Sequence, residues 1–509
     1  MQMRLRLAAD ASLNSVFAEY DDALWGTFHL LFRAGGDRTG ENLQGRVLSY
    51  AAENLGDEAY AWGQQTDWFF LHPESAEVSD IVFATDQNGA VFEQAVKDYM
   101  RSGMVTIMID ELISRLGVFS GGDAQQQLEG IDGKGDFSFD AIYGDYKDLK
   151  EKAEEARRKQ EEEQGQEQGD EPEDTPAVGG DETPGYASGE EQGLTLEDVL
   201  ETVKNLMLHG FMGIVVDNPN GISHQNVTGS DYPSHLSGGE KSRHANLSPV
   251  TANGSSSSLV DKLLVDEYLL RFLDCYTTLH DLDVEEDNST PEYQVEYVIA
   301  GKNSDYDNLK TVVNRLLWFR EGLNMIYLLS DSAKREEVQL LALALIAPTG
   351  QLYLTDLAAG VLMAAWAFAE SLRDVKGLLA GGKVPLLKDA STWKTSLENI
   401  TTDIAEGAND GEVDDLPTDP GLTYVDYLRI LMAFVNPELR NYRGMDMIQA
   451  AMRRTREGFN MTQCVYACSA SITASGSYRF LIFAPLLPSG KEGGYQLSCR
   501  TWYGYKKRS

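Results

Sequence analysis

Cysteine is scarce, with four in 509 residues. That is too few for the disulfide framework of a small secreted domain. Positive charge is scarce as well: 43 lysines and arginines face 80 aspartates and glutamates, a formal charge of −37 at pH 7. Such a field repels phosphate backbones and anionic lipid headgroups, so no nucleic-acid partner is expected. Long hydrophobic runs are missing too. The uncharged stretch 338–355 is interrupted by Gln339, Pro348, Gly350 and Gln351, and the next, 357–369, ends after thirteen residues. A membrane-spanning helix needs about 20 predominantly apolar residues, so both read as buried helices. A re-entrant hairpin turning at Asp356 is the competing arrangement. The opening residues, MQMRLRLAADASL, lack the apolar segment of a signal peptide.

What is present is globular. Hydrophobic residues make up 42% and charged residues 24%, and the length suits about three domains of ordinary size. Leu5, Ala9, Leu13, Phe17, Tyr20 and Leu24 recur at spacings of three and four, an amphipathic helix that starts in mid-pattern with no capping residue. Residues 67–71 and 78–85 read as strands, 86–89 as a turn, and 91–116 as a helix. Between 145 and 198 the composition shifts to 19 acidic and 6 basic residues. Its first part suits a solvated helix with pairs such as Lys147–Glu151 and Glu154–Arg158. From 165 to 192 too little apolar surface remains to offset ordering entropy, so a disordered linker is expected.

Beyond the linker, 194–208 reads as a helix capped by Thr195 and Asp198, 211–216 as a strand, and 218–258 as a polar loop. Helices are expected at 259–276, 309–329, 334–346, 355–379, 423–434 and 445–457. A strand is expected at 293–299, from the alternation of Tyr293, Val295, Tyr297 and Ile299. Gly381 and Gly382 suit a helix C-terminus, and 403–421 is a second acidic loop. Residues 462–475, 478–483 and 495–505 read as antiparallel strands. The fold class is therefore α+β: an N-terminal helix, an antiparallel sheet built from both chain ends, a large helical insertion and a disordered acidic linker. The segments are 1–140, a pilin-like α+β unit; 141–193, acidic helix and linker; 194–258, helix, strand and polar loop; 259–460, helical; and 461–509, C-terminal strands.

Three stretches imitate an ATP-binding cassette: LSGGEK at 236–241, LLVDE at 263–267 and GLLAGGK at 377–383. A phosphate loop needs a strand before it and a helix after it. Here a helix precedes Gly377, Val384 replaces the magnesium-holding hydroxyl, Pro385 follows, and the order of the motifs is wrong. An NTPase is thus the least favoured function. His224, His235 and His244 share a polar loop at spacings of ten and eight, unlike the short spacings of zinc ligands, and read as exposed loop residues. Cys464 and Cys468 lie on one face of a strand, too far apart to bond each other. Cys499 either joins one of them or stays a thiol, and Cys275 reads as core. Arg315, Arg320, Glu321 and Glu370 sit in otherwise apolar helices, where buried charge demands partners. A structural ion-pair network is favoured there over a ligand site. No HExxH, G-x-S-x-G or complete phosphate loop occurs, and no catalytic, cofactor-binding or metal-ligating residue is assigned.

RLAADASLNSVFAEYDDALW resembles the region that follows the hydrophobic N-terminal helix in TadE/TadG-like proteins of tight-adherence pilus systems. The stretches LLVDEYLLRFLDCYT, YQVEYVIAGKNSDYDNLKTVVNRLLWFREGLNMIYLLSD and MAAWAFAESLRDVKGLLAGGKVPLLK are similar to a bacterial family of unknown function from clostridia-type Gram-positives. That resemblance implies a non-enzymatic, minor pseudopilin-like component at the cell surface, with other pilus or secretion-system proteins as partners. It also implies attachment to the membrane through an N-terminal helix that this sequence does not contain. A second reading is an extracytoplasmic binding module for a peptide or glycan; an exposed apolar groove rimmed by the aromatic C-terminal strands would favour it.

Limited proteolysis should cut first between residues 165 and 192, leaving two large fragments that remain associated through the shared sheet. Independent migration of the fragments on native size-exclusion chromatography would refute the shared sheet.

Overall fold

The computed structural model describes the chain except residues 38, 56–70, 103–195, 210, 217–218, 228, 245–258, 281–290, 351, 406–420, 478–493 and 506–509. The acidic linker, the caps at Thr195 and Ser258 and the 478–483 strand therefore lie outside the described residues. The helices are α1 (Gln2–Ala18), α2 (Asp22–Phe28), α3 (Glu41–Leu55), α4 (Ala90–Ser102), α5 (Leu196–His209), α6 (Met212–Val215), α7 (Gly238–Lys241) and α8 (Leu259–Phe272). They continue as α9 (Tyr276–His280), α10 (Gln294–Ala300), α11 (Asp305–Ser330), α12 (Ser332–Ile346), α13 (Thr355–Leu379), α14 (Ile400–Ala405), α15 (Tyr424–Ala433) and α16 (Pro437–Thr455). The strands are β1 (Leu71–Phe83), β2 (Val465–Ser477) and β3 (Gly494–Gly504). Two compact units emerge, one within residues 1–118, 222–312 and 428–509, the other within 119–221 and 313–427.

The first unit is built on the sheet expected from the sequence. β1, from the front of the chain, pairs antiparallel with β2, which pairs antiparallel with β3. β2 carries small and β-branched residues. Cys468, Ala470, Ile472 and Ala474, two apart, all face the core, while Ser471, Thr473 and Ser475 are half-buried. The core they join includes Leu5, Ala9, Leu13 and Phe17 of α1 and Leu43, Val47, Ala51 and Leu55 of α3. The four-residue spacing of α1 thus has its cause in one buried stripe. Tyr505 Oη donates to the Phe17 carbonyl at 2.7 Å, tying the helix to the end of β3. α1 stops earlier than its periodicity suggests, because Asp21 caps a new helix by accepting from the Leu24 N–H at 2.9 Å. β1 is an edge strand with register shifts after Pro73 and Ser79. An edge position and a bulge are where a proline fits a sheet.

Two expected strands are helices. Residues 293–299 alternate, yet all seven residues of α10 are buried, Gln294 and Glu296 included. A helix buried all round has no polar face to set a 3.6-residue period. Its polar residues instead satisfy neighbouring backbone: Glu296 accepts from the Tyr276 N–H at 3.0 Å, and Gln294 from the Asp274 N–H at 3.3 Å. Gly301, with φ of 67°, ends it in the left-handed region. Residues 211–216 form the single turn α6; periodicity cannot separate so short an apolar run from a strand.

Asp446 of α16 is wholly buried. Its oxygens accept from the Ser234 N–H at 3.0 Å and from Tyr297 Oη at 2.8 Å. Burial outweighs these donors and raises its pKa to about 6. The folded state thus holds the proton more tightly than the unfolded one. That contribution is full below about pH 4 and is lost as pH rises through 6. Asp446→Asn should stabilise the protein above pH 6 by about 2–3 kcal/mol, with the gain vanishing near pH 4. Urea denaturation across that pH range measures it.

Candidate functional site

α11 and α13 of the second unit carry polar residues four apart on otherwise apolar helices: Arg320 and Asn324 on α11, Glu370 and Asp374 on α13. All four are buried. Like charges four apart on one helix repel, and burial sharpens the conflict. Two cations resolve it. Arg320 donates to Asp374 Oδ2 from Nε at 3.0 Å and from Nη2 at 2.7 Å. Lys388 Nζ lies 2.5 Å from Glu370 Oε1 and 2.6 Å from Asp374 Oδ1. Two positive and two negative groups leave this cluster without net charge.

Further donors and acceptors complete it. Arg320 Nη1 donates to the carbonyls of Pro385 at 3.0 Å and Leu386 at 2.8 Å, and to Tyr427 Oη at 3.0 Å. Asn324 Nδ2 donates to Asp374 at 3.1 Å and to Ser371 Oγ at 2.9 Å. Glu370 Oε2 accepts from the N–H and the hydroxyl of Thr395, each at 2.8 Å. Burial alone would raise the pKa of Asp374; Arg320 and Lys388 outweigh it and hold the carboxyl below its ordinary value. Burial pushes the Tyr427 phenol up to about 12. The cluster clamps α11, α13 and the segment 385–395 together, with its charges locked on one another.

Of the four charges singled out in the sequence, Arg320 and Glu370 belong to this network, Glu321 is buried on α11, and Arg315 is exposed. Asp374 and Lys388 were not anticipated. The signal for Asp374 was its place four residues after Glu370 in an apolar helix. Lys388 follows Pro385 in an irregular segment and gave none.

Helix α12 packs on α13 above this core. Lys334 near its start lies over the Trp366 ring at 4.2 Å and the Trp393 ring at 4.9 Å. Val338, Ala342 and Ile346 form its buried stripe. The opposite side is apolar as well. Leu340 is 62% and Leu343 45% exposed; in the turn that follows, Leu352 is 58% and Tyr353 68% exposed. No charged residue occurs from 338 to 355, whereas Lys334, Arg335, Glu336 and Glu337 precede the run and Asp356 follows it. An exposed apolar ridge with a charged rim has the anatomy of a protein-binding surface.

The remaining sequence candidates have other places. In LSGGEK, Ser237 and Glu240 form the reciprocal cap of α7. Asp266 and Glu267 lie within α8 and pair with Arg440 at 2.7 Å and Arg429 at 2.9 Å. Gly381, with φ of 86°, follows the end of α13. His224 stacks on Tyr306 at 4.9 Å, His235 lies near Tyr232, and His244 Nε2 stands 4.0 Å from Asp86. Among the described residues, no group of three or more His, Cys, Asp or Glu is placed to hold a metal ion. All four cysteines are free. Cys499 lies across from Ile472, four residues along β2 from Cys468. At ~3.3 Å per residue that offset exceeds the ~7 Å Cα reach of a disulfide.

The DUF5702 family, described as a family of unknown function, matches residues 189–476. No curated protein matches the chain, and no solved structure does.

Replacing one member of the four-charge cluster strands its partner. Arg320→Met should destabilise the fold by about 3–5 kcal/mol. Adding Asp374→Leu should restore much of that loss, since Lys388 and Glu370 remain a neutral pair. Urea denaturation of the single and double variants checks both outcomes.

Proposed function

The chain belongs to the DUF5702 family, and we propose that it is a non-enzymatic assembly component of a tight-adherence type pilus system. In this reading it is minor pseudopilin-like and works at the cell surface, outside the cytoplasm, among other pilus or secretion-system proteins. The observation that carries the reading is the apolar ridge of Leu340, Leu343, Leu352 and Tyr353. Its occupant is an apolar helix face of a neighbouring subunit. The ridge is built of three leucines and one tyrosine, which suits apolar contact, and the locked cluster behind it gives it a rigid base. The N-terminal helix lying over an antiparallel sheet adds support, because the TadE/TadG-like resemblance of residues 6–25 implies a pilin-like segment there.

The test is fractionation of the native host with and without Leu340→Asp and Leu343→Asp. The wild-type chain should appear in the surface and sheared-pilus fractions and co-purify with pilus subunits. The double variant, with an unchanged melting temperature, should lose that association by about tenfold or more, since each buried leucine is worth about 1.5–3 kcal/mol. A wild-type chain confined to the cytoplasmic fraction, or a variant that assembles as well as wild type, overturns the reading.

A further inference from the structure

The buried cluster of the second unit brings an amine against two carboxyl groups, and this juxtaposition has a chemical consequence independent of the pilus reading. Lys388 Nζ lies 2.5 Å from Glu370 Oε1 and 2.6 Å from Asp374 Oδ1, and it donates to the Thr392 carbonyl at 3.1 Å. The side chains of Lys388, Glu370 and Asp374 are 4%, 0% and 3% exposed, so bulk water has little access to them. Trp366 and Trp393 meet edge-on at 5.4 Å, and both indole N–H groups donate to the Thr395 carbonyl, at 3.3 and 3.1 Å. They fix the backbone that also contacts Glu370.

The two carboxyl groups are not equivalent. Asp374 Oδ2 accepts from Arg320 Nε and Nη2 and from Asn324 Nδ2. Burial would raise its pKa, but Arg320 and Lys388 outweigh burial and keep it ionised. An ionised carboxylate resists nucleophilic attack and serves better as a proton acceptor. Glu370 is held differently. Its Oε1 faces the amine, while its Oε2 accepts from the Thr395 N–H and hydroxyl, each at 2.8 Å, and from the Lys394 N–H at 3.2 Å. Three neutral donors on one carboxyl oxygen form an oxyanion site, placed to stabilise negative charge when a nucleophile adds to the carboxyl carbon.

We propose that Lys388 and Glu370 condense to an intramolecular amide, with Asp374 carrying a proton between them. One ammonium proton passes along the Nζ–Oε1 hydrogen bond, leaving an amine and a carboxylic acid. Nζ then adds to the Glu370 carboxyl carbon, and Oε2 takes up the negative charge. Asp374 Oδ1 accepts a second proton from the nitrogen and returns it to Oε1, which departs as water. The C–N bond forms, the C–Oε1 bond breaks, and ammonium plus carboxylate become amide plus one water, with no co-reactant. Holding the groups in contact supplies an effective concentration of ~10⁵ M or more, and exclusion of water protects the product. The amide also removes two buried charges, each costly to desolvate, while Arg320 and Asp374 remain a neutral pair. It closes a loop between residues 18 apart and fastens α13 to the segment that follows it.

The experiment weighs the denatured full chain by intact-mass spectrometry and then sequences its tryptic peptides. The chain should be lighter than its sequence by one water. Peptide 384–394, uncut at Lys388, should be joined to peptide 336–373, which carries Glu370. Trypsin cuts after Arg373, between the two carboxyl groups, so a bond to Asp374 would instead join peptide 384–394 to 374–376. Lys388→Arg keeps a cation but supplies no amine, and should have the full mass of its sequence. A wild-type chain of full sequence mass overturns the proposal, as does a bond to Asp374 or a Lys388→Arg chain that has also lost water. The wild-type digest decides the matter whether or not that variant folds.

Discussion

The antiparallel pairing of β1 with β2 is the constraint to which the rest of the first unit answers. It joins Leu71 to Gly476 and Phe83 to Val465, so a chain that leaves the sheet after β1 must return to it. The entropic cost of closing so long a loop grows only logarithmically, about 0.6 kcal/mol for each doubling. A large helical insertion is therefore thermodynamically tolerable once the sheet and its covering helices bury enough apolar surface. Cys468, Ala470, Ile472 and Ala474 supply that surface from β2, and α1 and α3 cover it.

Two buried carboxylates, one in each unit, come out in opposite ways. In the first, Asp446 meets donors that are neutral, and burial raises its pKa. In the second, Asp374 is as deeply placed but meets Arg320 and Lys388, and its pKa falls. Depth is similar in both; Asp374 has two cations in contact, whereas the hydrogen-bond partners of Asp446 are neutral, and with the single partner Arg440 burial still raises the pKa of Asp266. A cluster of balanced charge is weak as a source of net stability but strict about geometry. Each member fixes the helix that bears it, and the cost of leaving any one unpaired holds α11 and α13 in a single arrangement.

The sequence announced those features whose cause is local. The stripe of α1 was legible because one face is buried and the other wet. The C-terminal glycines of α13 were legible because the left-handed turn they make needs no distant partner. The sheet built from both ends followed from small, β-branched and aromatic residues clustered before and after a helical middle. α10 was misread because burial on every side erased its period. Arg320 and Glu370 stood out as charges in apolar helices, yet nothing local tied them to Lys388, which reaches them only through the fold.

The bulges of β1 have a consequence on the timescale of synthesis. At about 5–20 residues per second, the 381 residues between Phe83 and Val465 take roughly 20–80 s to make. Through that interval β1 lacks β2, its sheet partner among the described residues, and a flat unpaired strand recruits copies of itself. Pro73, which lacks an N–H to donate, and the breaks in register after it and after Ser79 spoil β1 as a template. The irregularities that loosen the finished ladder thus keep the nascent chain from pairing with its neighbours on the same message before β2 exists.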